Sequence, residues 1–274
     1  MFVILHMLKK LIFVFLILPF STILSQEGLK EVFVEKFYTL DKADLQKNNL
    51  TGVKEKGLVT YRIYVLLDSG YTLQAIYGAP SHELFIKSTT NFYNHPGIGS
   101  TFPNRIPDKA LKKNLSYLDS WLSVGACSEE FFAVPLRYQT SPLPVTIDWD
   151  KNYFMNAKGR DSKFTFREAP GMYYTDSLPV PTMYQIDEQL KGLNMESTSS
   201  EFIIENGAWA CMGKGASAPA KLPNAILIAQ ITTAGKLSYQ LNLQIGTPNG
   251  KSIRYVASKP STEEFTHQSL TRKP

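Results

Sequence analysis

The chain has 274 residues, of which 43% are hydrophobic, 12% aromatic and 19% charged. This apolar content is enough for a hydrophobic core, and the 17 glycines and 16 prolines are close to ordinary usage, which excludes a disordered, collagen-like or low-complexity chain. The formal net charge of +5 comes from the two ends, because residues 26–250 carry equal numbers of acidic and basic side chains. Without a cluster of lysines and arginines, we expect no nucleic-acid partner.

Residues 1–25 have the three-part pattern of a secretory signal peptide. Lys9 and Lys10 precede an apolar run at residues 11–18, and Pro19 and small polar residues follow it. The run is too short to cross a bilayer, so we expect cleavage between Ser25 and Gln26 and no transmembrane segment after it. We therefore expect a secreted, periplasmic or cell-surface-associated protein. An uncleaved signal anchor is the alternative.

The two cysteines, Cys127 and Cys211, both lie in the predicted mature part of the chain. An oxidising compartment would allow a disulfide between them. The alternative is two separately buried thiols that pack as small apolar side chains. The cysteines and the four histidines do not have the spacing of metal ligands, so we expect no metal site and no cofactor.

Alternation of apolar and polar residues is the dominant pattern and predicts strands. Residues 58–67 predict a strand with one buried face, and residues 71–77 predict a second strand that forms a hairpin with the first across the turn at residues 68–70. Residues 225–233 and 237–245 predict another hairpin, with Gly235 in its turn. Further strands are predicted at residues 84–88, 121–126, 131–137, 143–149, 202–205, 208–212 and 252–257.

Helical spacing of leucines predicts only two short helices, at residues 107–118 and 184–193, and residues 30–45 are ambiguous between helix and strand. Many short strands with few helices favour an all-β fold, an antiparallel β-sandwich or jelly-roll. We predict an N-terminal extension of uncertain fold at residues 26–57 and a single sandwich-like domain at 58–258. Its middle segment, 129–205, is variable, and the polar tail at 259–274 is expected to be disordered.

Several strings in the predicted strands resemble a family of uncharacterised, exported, β-rich bacterial proteins. They are TYRIYV at 60–65, LQAIYG at 73–78, LDSWLSVGA at 118–126 and LIAQITTAGKLSYQLNLQIGTP at 227–248. The resemblance implies a β-rich exported protein and assigns no catalytic residue. Members often carry a C-terminal sorting domain for type IX secretion; that domain is absent from this sequence, which argues against surface attachment by that route.

Motifs for catalysis are weak, since the chain has neither a Gly-x-Ser-x-Gly elbow nor a phosphate-binding loop motif. We therefore expect no catalytic residues. One alternative is a polysaccharide-active hydrolase that uses paired carboxylates. Its acidic groups would come from Glu129, Glu130, Asp148, Asp150 and Asp187. A structural component of the envelope or matrix is a further alternative.

Aromatic residues cluster in the middle segment, outside the strings that carry the resemblance. Exposed aromatic rings on a β-sandwich can stack on sugar rings, whereas ordinary core packing is the alternative. The leading hypothesis is a non-catalytic exported protein that binds an extracellular carbohydrate or protein. Its predicted ligand-binding residues are Trp149, Tyr153, Tyr173 and Tyr174.

Overall fold

The computed structural model describes residues 28–40, 57–97, 99–107, 118–138, 171–194 and 197–274. The strands are β1 Leu29–Thr39, β2 Val59–Leu67, β3 Thr72–Gly78, β4 Leu84–Ser88, β5 Trp121–Leu122, β6 Phe131–Ala133, β7 Met172–Tyr174, β8 Thr182–Tyr184, β9 Glu201–Ile204, β10 Gly207–Ala210, β11 Ala225–Thr233, β12 Leu237–Gln240, β13 Leu243–Gly246, β14 Ser252–Tyr255, β15 Glu264–Phe265 and β16 Thr271–Arg272. Within these described ranges there is one short α-helix, α1, at Asp187–Leu190. These elements confirm the predicted all-β, antiparallel, sandwich-like fold.

The strands form four sheets. The central sheet has the order β1-β2-β11-β5, and a six-stranded sheet has the order β15-β14-β13-β3-β10-β8. A third sheet, named here the β4 sheet, has the order β16-β12-β4-β9. The fourth is the pair of β6 and β7. Neighbouring strands are antiparallel except for β14 and β15, which are parallel.

Both faces of the central sheet are buried. On one face, Ile63 of β2 and Ile228 of β11 belong to a first core that is shared with the six-stranded and β4 sheets. On the other face, Tyr64 and Leu227 belong to a second core, and all nine residues of β11 are buried. The prediction of a single buried face for residues 58–67 is therefore wrong, because a further layer covers the opposite face.

This further layer, the cover, consists of residues 126–138 and 171–174, which include β6 and β7. Phe131, Leu136 and Met172 of the cover are buried in the second core. Gly125 precedes it with a φ of +119°, and an added Cβ there would overlap the Phe132 ring. A larger residue at this position would therefore displace the cover from the central sheet.

The six-stranded sheet and the β4 sheet are two halves of one layer. Residues 72–88 lie between residues 201–210 and 237–246, with β3 paired to β10 and β13 in one half and β4 paired to β9 and β12 in the other. The layer bends between the halves, where a Cβ on Gly78 would overlap the carbonyl group of Ile204. Glycine is therefore required at the bend.

Both predicted hairpins are wrong, although the predicted strands exist. β2 pairs with β1 and β11 on its two edges, so β3 has no free edge there and enters the six-stranded sheet instead. Similarly, β11 stays in the central sheet, and the predicted strand at 237–245 is divided into β12 and β13 in the two halves of the outer layer. The turn residues predict correctly where the chain reverses. At each of these turns, however, the chain passes into a different sheet, so the two strands that flank the turn do not pair.

The chain ends also differ from expectation. The N-terminal extension contributes β1, which pairs with β2 along the whole of β2. The ambiguous segment is therefore a strand as far as residue 39, and its residues 41–45 lie outside the described residues. The tail expected to be disordered contains β15, a 3₁₀ turn at Gln268–Leu270 and β16. Leu270 is completely buried in the first core, and this burial orders the tail.

The predicted helix at 184–193 is shorter than expected. It becomes α1 followed by a 3₁₀ turn at Lys191–Leu193, and Tyr184 belongs to β8. Ile186, Leu190 and Leu193 are buried, as their spacing indicated. Most of the predicted helix at 107–118 and the predicted strand at 143–149 lie outside the described residues.

The Asn242 side chain holds the bend of the outer layer together. Its Nδ2 atom donates to the carbonyl oxygens of Tyr77 at 3.1 Å and His82 at 2.8 Å, and its Oδ1 atom accepts from the amide of Ala257 at 3.1 Å. The side chain is buried, so its hydrogen bonds replace those that water would make.

We expect Asn242→Asp to lower the free energy of unfolding by about 3 kcal/mol, because the carboxylate has no hydrogen to donate and would face two carbonyl oxygens in a buried site. Urea unfolding measures the change. Asn206→Asp is the control, since Asn206 is exposed, and its effect should stay below about 0.5 kcal/mol. Equal effects of the two substitutions would contradict the role of Asn242.

Candidate functional site

Of the four predicted ligand-binding aromatic residues, two lie within the described ranges. Trp149 and Tyr153 lie outside the described residues. Tyr173 and Tyr174 are half-buried on β7, and the Tyr174 ring packs edge-on against Phe131 with 5.9 Å between ring centroids. These two tyrosines therefore help to hold the cover together.

The central sheet lies between the predicted carboxylates that the structure describes. Glu129 and Glu130 are exposed just before β6, where Phe131 enters the second core. Asp187 is exposed at the start of α1, whose Leu190 enters the first core. Asp148 and Asp150 lie outside the described residues. The described carboxylates therefore do not form the facing pair that a glycosidase requires.

Both cysteines are free, so of the two alternatives the structure shows separate thiols and no disulfide between them. Cys127 is buried in the second core, where its Sγ donates to the carbonyl oxygen of Phe131 at 3.4 Å. Cys211 follows β10, packs against the first core and is partly exposed, and burial raises the pKa of its thiol. The two side chains belong to different cores, one on each side of the central sheet, and this separation prevents a bond.

A buried row of polar side chains crosses the central sheet beneath the cover. Glu35 of β1 lies opposite Arg62 of β2, which lies opposite Gln230 of β11. Arg62 donates from Nε to Gln230 Oε1 at 3.0 Å and from Nη1 to the carbonyl oxygen of Gly171 at 3.3 Å. The Phe37 ring covers the guanidinium group, with 3.3 Å from the guanidinium carbon to the ring centroid.

Glu35 connects this row to the cover. Its Oε1 atom accepts from the amide of Leu136 at 2.7 Å, whereas Oε2 has no hydrogen-bond partner among the residues that the structure describes. Burial raises the pKa of Glu35 to about 7, although Arg62, the Leu136 amide and Arg137 each lower it. The carboxyl group therefore changes its charge near neutral pH.

Asp119 is a second buried carboxyl group with a structural role. It accepts hydrogen bonds from the amides of His95 and Ser100, each at 2.7 Å, and thereby joins these two residues through one carboxyl group. Burial raises its pKa to about 7 against the effect of these amides. Both buried acids bind parts of the chain to each other and are shielded from solvent. A ligand-binding surface must instead use side chains that are exposed to solvent.

An open groove lies on the outer face of the outer layer, between α1 and the turn that joins β9 to β10. It has a volume of about 480 Å³ and is lined by Gln189, Ile203, Glu205 and Asn206. Asn206 Nδ2 donates to Gln185 Oε1 at 3.2 Å, which connects the groove wall to the end of β8.

Exposed apolar side chains lie on the edge strand β8, just before that strand, and just after its partner strand β10. Tyr184 is 62% exposed, Val180 65% and Met212 72%. Tyr184 lies opposite Ala208 of β10, and the neighbouring Gln185 holds Asn206 of the groove wall. Tyr184 and the four groove-lining residues together are named here the groove face. Because Ile186, Leu190 and Leu193 have helical spacing, the sequence predicts a helix that includes Tyr184 and does not predict its exposed position on a strand.

No protein-family model matches the chain, and neither the curated proteins nor the solved structures contain a match. Within the described ranges, no helix has the length and apolar character that a membrane crossing requires. The same ranges contain no group of three histidine, cysteine or acidic side chains that could hold a metal ion. The site must therefore be judged from its own geometry.

We expect Glu35→Gln to reduce the dependence of stability on pH. The pKa of Glu35 is about 7 in the folded protein against an ordinary value of 4.5, so its stabilising contribution is complete below pH 4.5 and is lost as the pH rises through 7. Each pKa unit corresponds to about 1.4 kcal/mol, so the shift from 4.5 to about 7 corresponds to a loss of about 3 to 4 kcal/mol. Urea unfolding from pH 4.5 to 8 should give a flatter curve for the variant, and parallel curves would contradict the raised pKa.

We also expect two titratable thiols in the unfolded protein without any reducing agent. Because Cys127 and Cys211 are free, adding a reductant should leave the melting temperature unchanged. Thiol titration in denaturant and thermal melts with and without the reductant check this expectation. A single protein species with no free thiol and a reductant-sensitive melt would instead indicate a disulfide.

Proposed function

We propose that the protein is an exported, non-catalytic β-sandwich protein that binds an extracellular carbohydrate at the groove face. The observation that carries the proposal is the exposed ring of Tyr184 beside a groove lined by amide and carboxylate side chains. Export is supported by the secretory pattern of residues 1–25 and by the resemblance to exported β-rich proteins.

The composition of the groove face suits a sugar. A sugar ring has apolar C–H surfaces that pack on an aromatic ring, and its hydroxyl groups both donate and accept hydrogen bonds. Gln189 and Asn206 offer amide donors and acceptors, and Glu205 offers carboxylate acceptors. The groove is open to solvent, as binding along an extended chain would require.

Local packing pre-organises the groove. Gln185 has a φ of +54°, which is rare for residues other than glycine, and it holds Asn206 through its side chain. An added Cβ on Gly207 would lie 2.7 Å from the carbonyl oxygen of Tyr184 and 2.7 Å from Ile186, so the β9–β10 turn is packed tightly on the end of β8. A pre-organised site loses less entropy when a ligand binds.

The edge of β8 is poorly suited to a protein partner that adds a strand. Pro179 and Pro181 precede the strand and have no backbone N–H group to donate, which is a common protection of an edge strand. Side-chain contacts on the outer face remain available, and this favours a carbohydrate over a strand-adding protein.

We expect Tyr184→Ala to weaken binding about fivefold, because stacking on a tyrosine ring contributes on the order of 1 kcal/mol. Binding is first sought on an array of extracellular polysaccharides and their oligosaccharides, and calorimetry then measures the affinity of the ligands found. Tyr184→Phe is the matched control, since it keeps the ring and should bind nearly as the wild type does.

Tyr173→Ala distinguishes the groove face from the aromatic site predicted in the middle segment. If binding depends on Tyr173 and not on Tyr184, the groove assignment is wrong. If the array shows no ligand while a protein partner is lost with Tyr184→Ala, the groove face binds protein and the carbohydrate proposal fails.

A further inference from the structure

The end of the chain forms a strap, defined here as residues 264–272, that closes one side of the sandwich. It begins as β15 beside β14 in the six-stranded sheet and ends as β16 beside β12 in the β4 sheet. Between the two strands it passes the outer edge of β1 in the central sheet, where Ser269 Oγ accepts from the amide of Val32 at 2.7 Å. The strap therefore contacts all three large sheets.

The strap lies in a slot whose contacts are few and specific. Leu270 is completely buried in the first core, and its carbonyl oxygen accepts from the amide of Leu241 at 2.9 Å. The Tyr239 hydroxyl donates to the carbonyl oxygen of Ser269 at 3.2 Å. Leu270 is thus the main apolar anchor, and two-residue strands supply the rest of the pairing at either end.

A second attachment lies at the start of the strap. His82 Nε2 is 3.1 Å from Glu264 Oε2, and both side chains are nearly buried. The Phe265 ring packs on Tyr255 with 5.7 Å between centroids. Arg254 Nη1 is 4.0 Å from Glu264 Oε1 and adds a weaker contact. The slot therefore recognises an acidic residue at one end and a leucine at the other.

The segment that joins the strap to β14 is exposed and locally strained. Residues 258–263 are all exposed. Lys259 has a φ of +53°, a conformation that residues other than glycine rarely adopt, and Pro260 follows it. Extending this hinge would return Lys259 to the extended region that residues before proline prefer.

We infer that the strap exchanges between two copies of the chain, so that the residues 264–272 of one copy occupy the slot of the other. The slot fits the strap sequence, and every copy carries an identical strap on an exposed hinge. An exchanged strap would make the same contacts with Val32, His82 and Leu241, while extension of the hinge would relieve the strain at Lys259. Exchange of an identical segment between copies is a common route to a dimer because no new interface must form.

Shortening the hinge is the direct test, and it uses the full chain. With Lys259 and Pro260 deleted, the strap cannot return to its own slot, so we expect a dimer by light scattering after size exclusion. Lys259→Gly is the opposite variant. Glycine adopts the hinge conformation without strain, so extension of the hinge no longer relieves any strain, and the dimer association constant should fall about fivefold relative to the wild type. A monomeric deletion variant, folded or partly unfolded, overturns the inference.

A cross-link distinguishes strap exchange from other dimers. A chain with His82→Cys is mixed at high concentration with a chain of different mass carrying Glu264→Cys, and the mixture is oxidised after incubation. We expect a peptide map to show a disulfide between position 82 of one chain and position 264 of the other. Dimers without this cross-link would show that the copies associate through another surface, which also overturns the inference.

Discussion

Burial of both faces of the central sheet is the constraint on which the rest of the structure depends. A sheet buried on both sides needs a layer on each, so the chain builds the bent outer layer on one side and the cover on the other. The second face carries charged groups, and the cover must satisfy them. Arg62 reaches the Gly171 carbonyl oxygen and Glu35 reaches the Leu136 amide, so the polar row fixes where the cover lies. If the Arg62 guanidinium or the Glu35 carboxyl group were buried without its hydrogen bond to the cover, the cost in free energy would exceed what that hydrogen bond contributes to stability.

Strand positions were predictable from the sequence, whereas strand partners were not. Alternation is a local property, so residues 59–67 and 225–233 were recognised as β2 and β11. Pairing depends on which edges are free, and the turn residues near Gly70 and Gly235 carry no information about layers. Likewise, Thr60, Arg62 and Tyr64 are typical of a solvent-facing side, and only the cover, which is remote in sequence, makes that side a core. The predominantly apolar sequence of β11 was the one local sign of double burial.

The groove face was missed for a related reason. Ile186, Leu190 and Leu193 have helical spacing, and that pattern extended the predicted helix back over Tyr184, whose ring is exposed on a strand. Conversely, Tyr173 belongs to a run of aromatic residues, but composition does not distinguish a ring that packs in a layer from one that meets solvent. The cysteine pair shows the same limit, since Cys127 and Cys211 are equally compatible with a bridge until the central sheet is seen to separate them.

The strap and the groove face lie at opposite edges of the same outer layer. In the six-stranded sheet β15 is one edge and β8 the other, and in the β4 sheet β16 and β9 have the corresponding positions. Two copies joined through their straps would therefore keep both grooves exposed and directed away from the junction. A single shallow groove binds a sugar weakly, but two grooves on one dimer that engage the same polysaccharide raise the effective concentration of the second site. Strap exchange would thus increase binding without changing any residue of the groove, which gives the inferred dimer a physical connection to the proposed function.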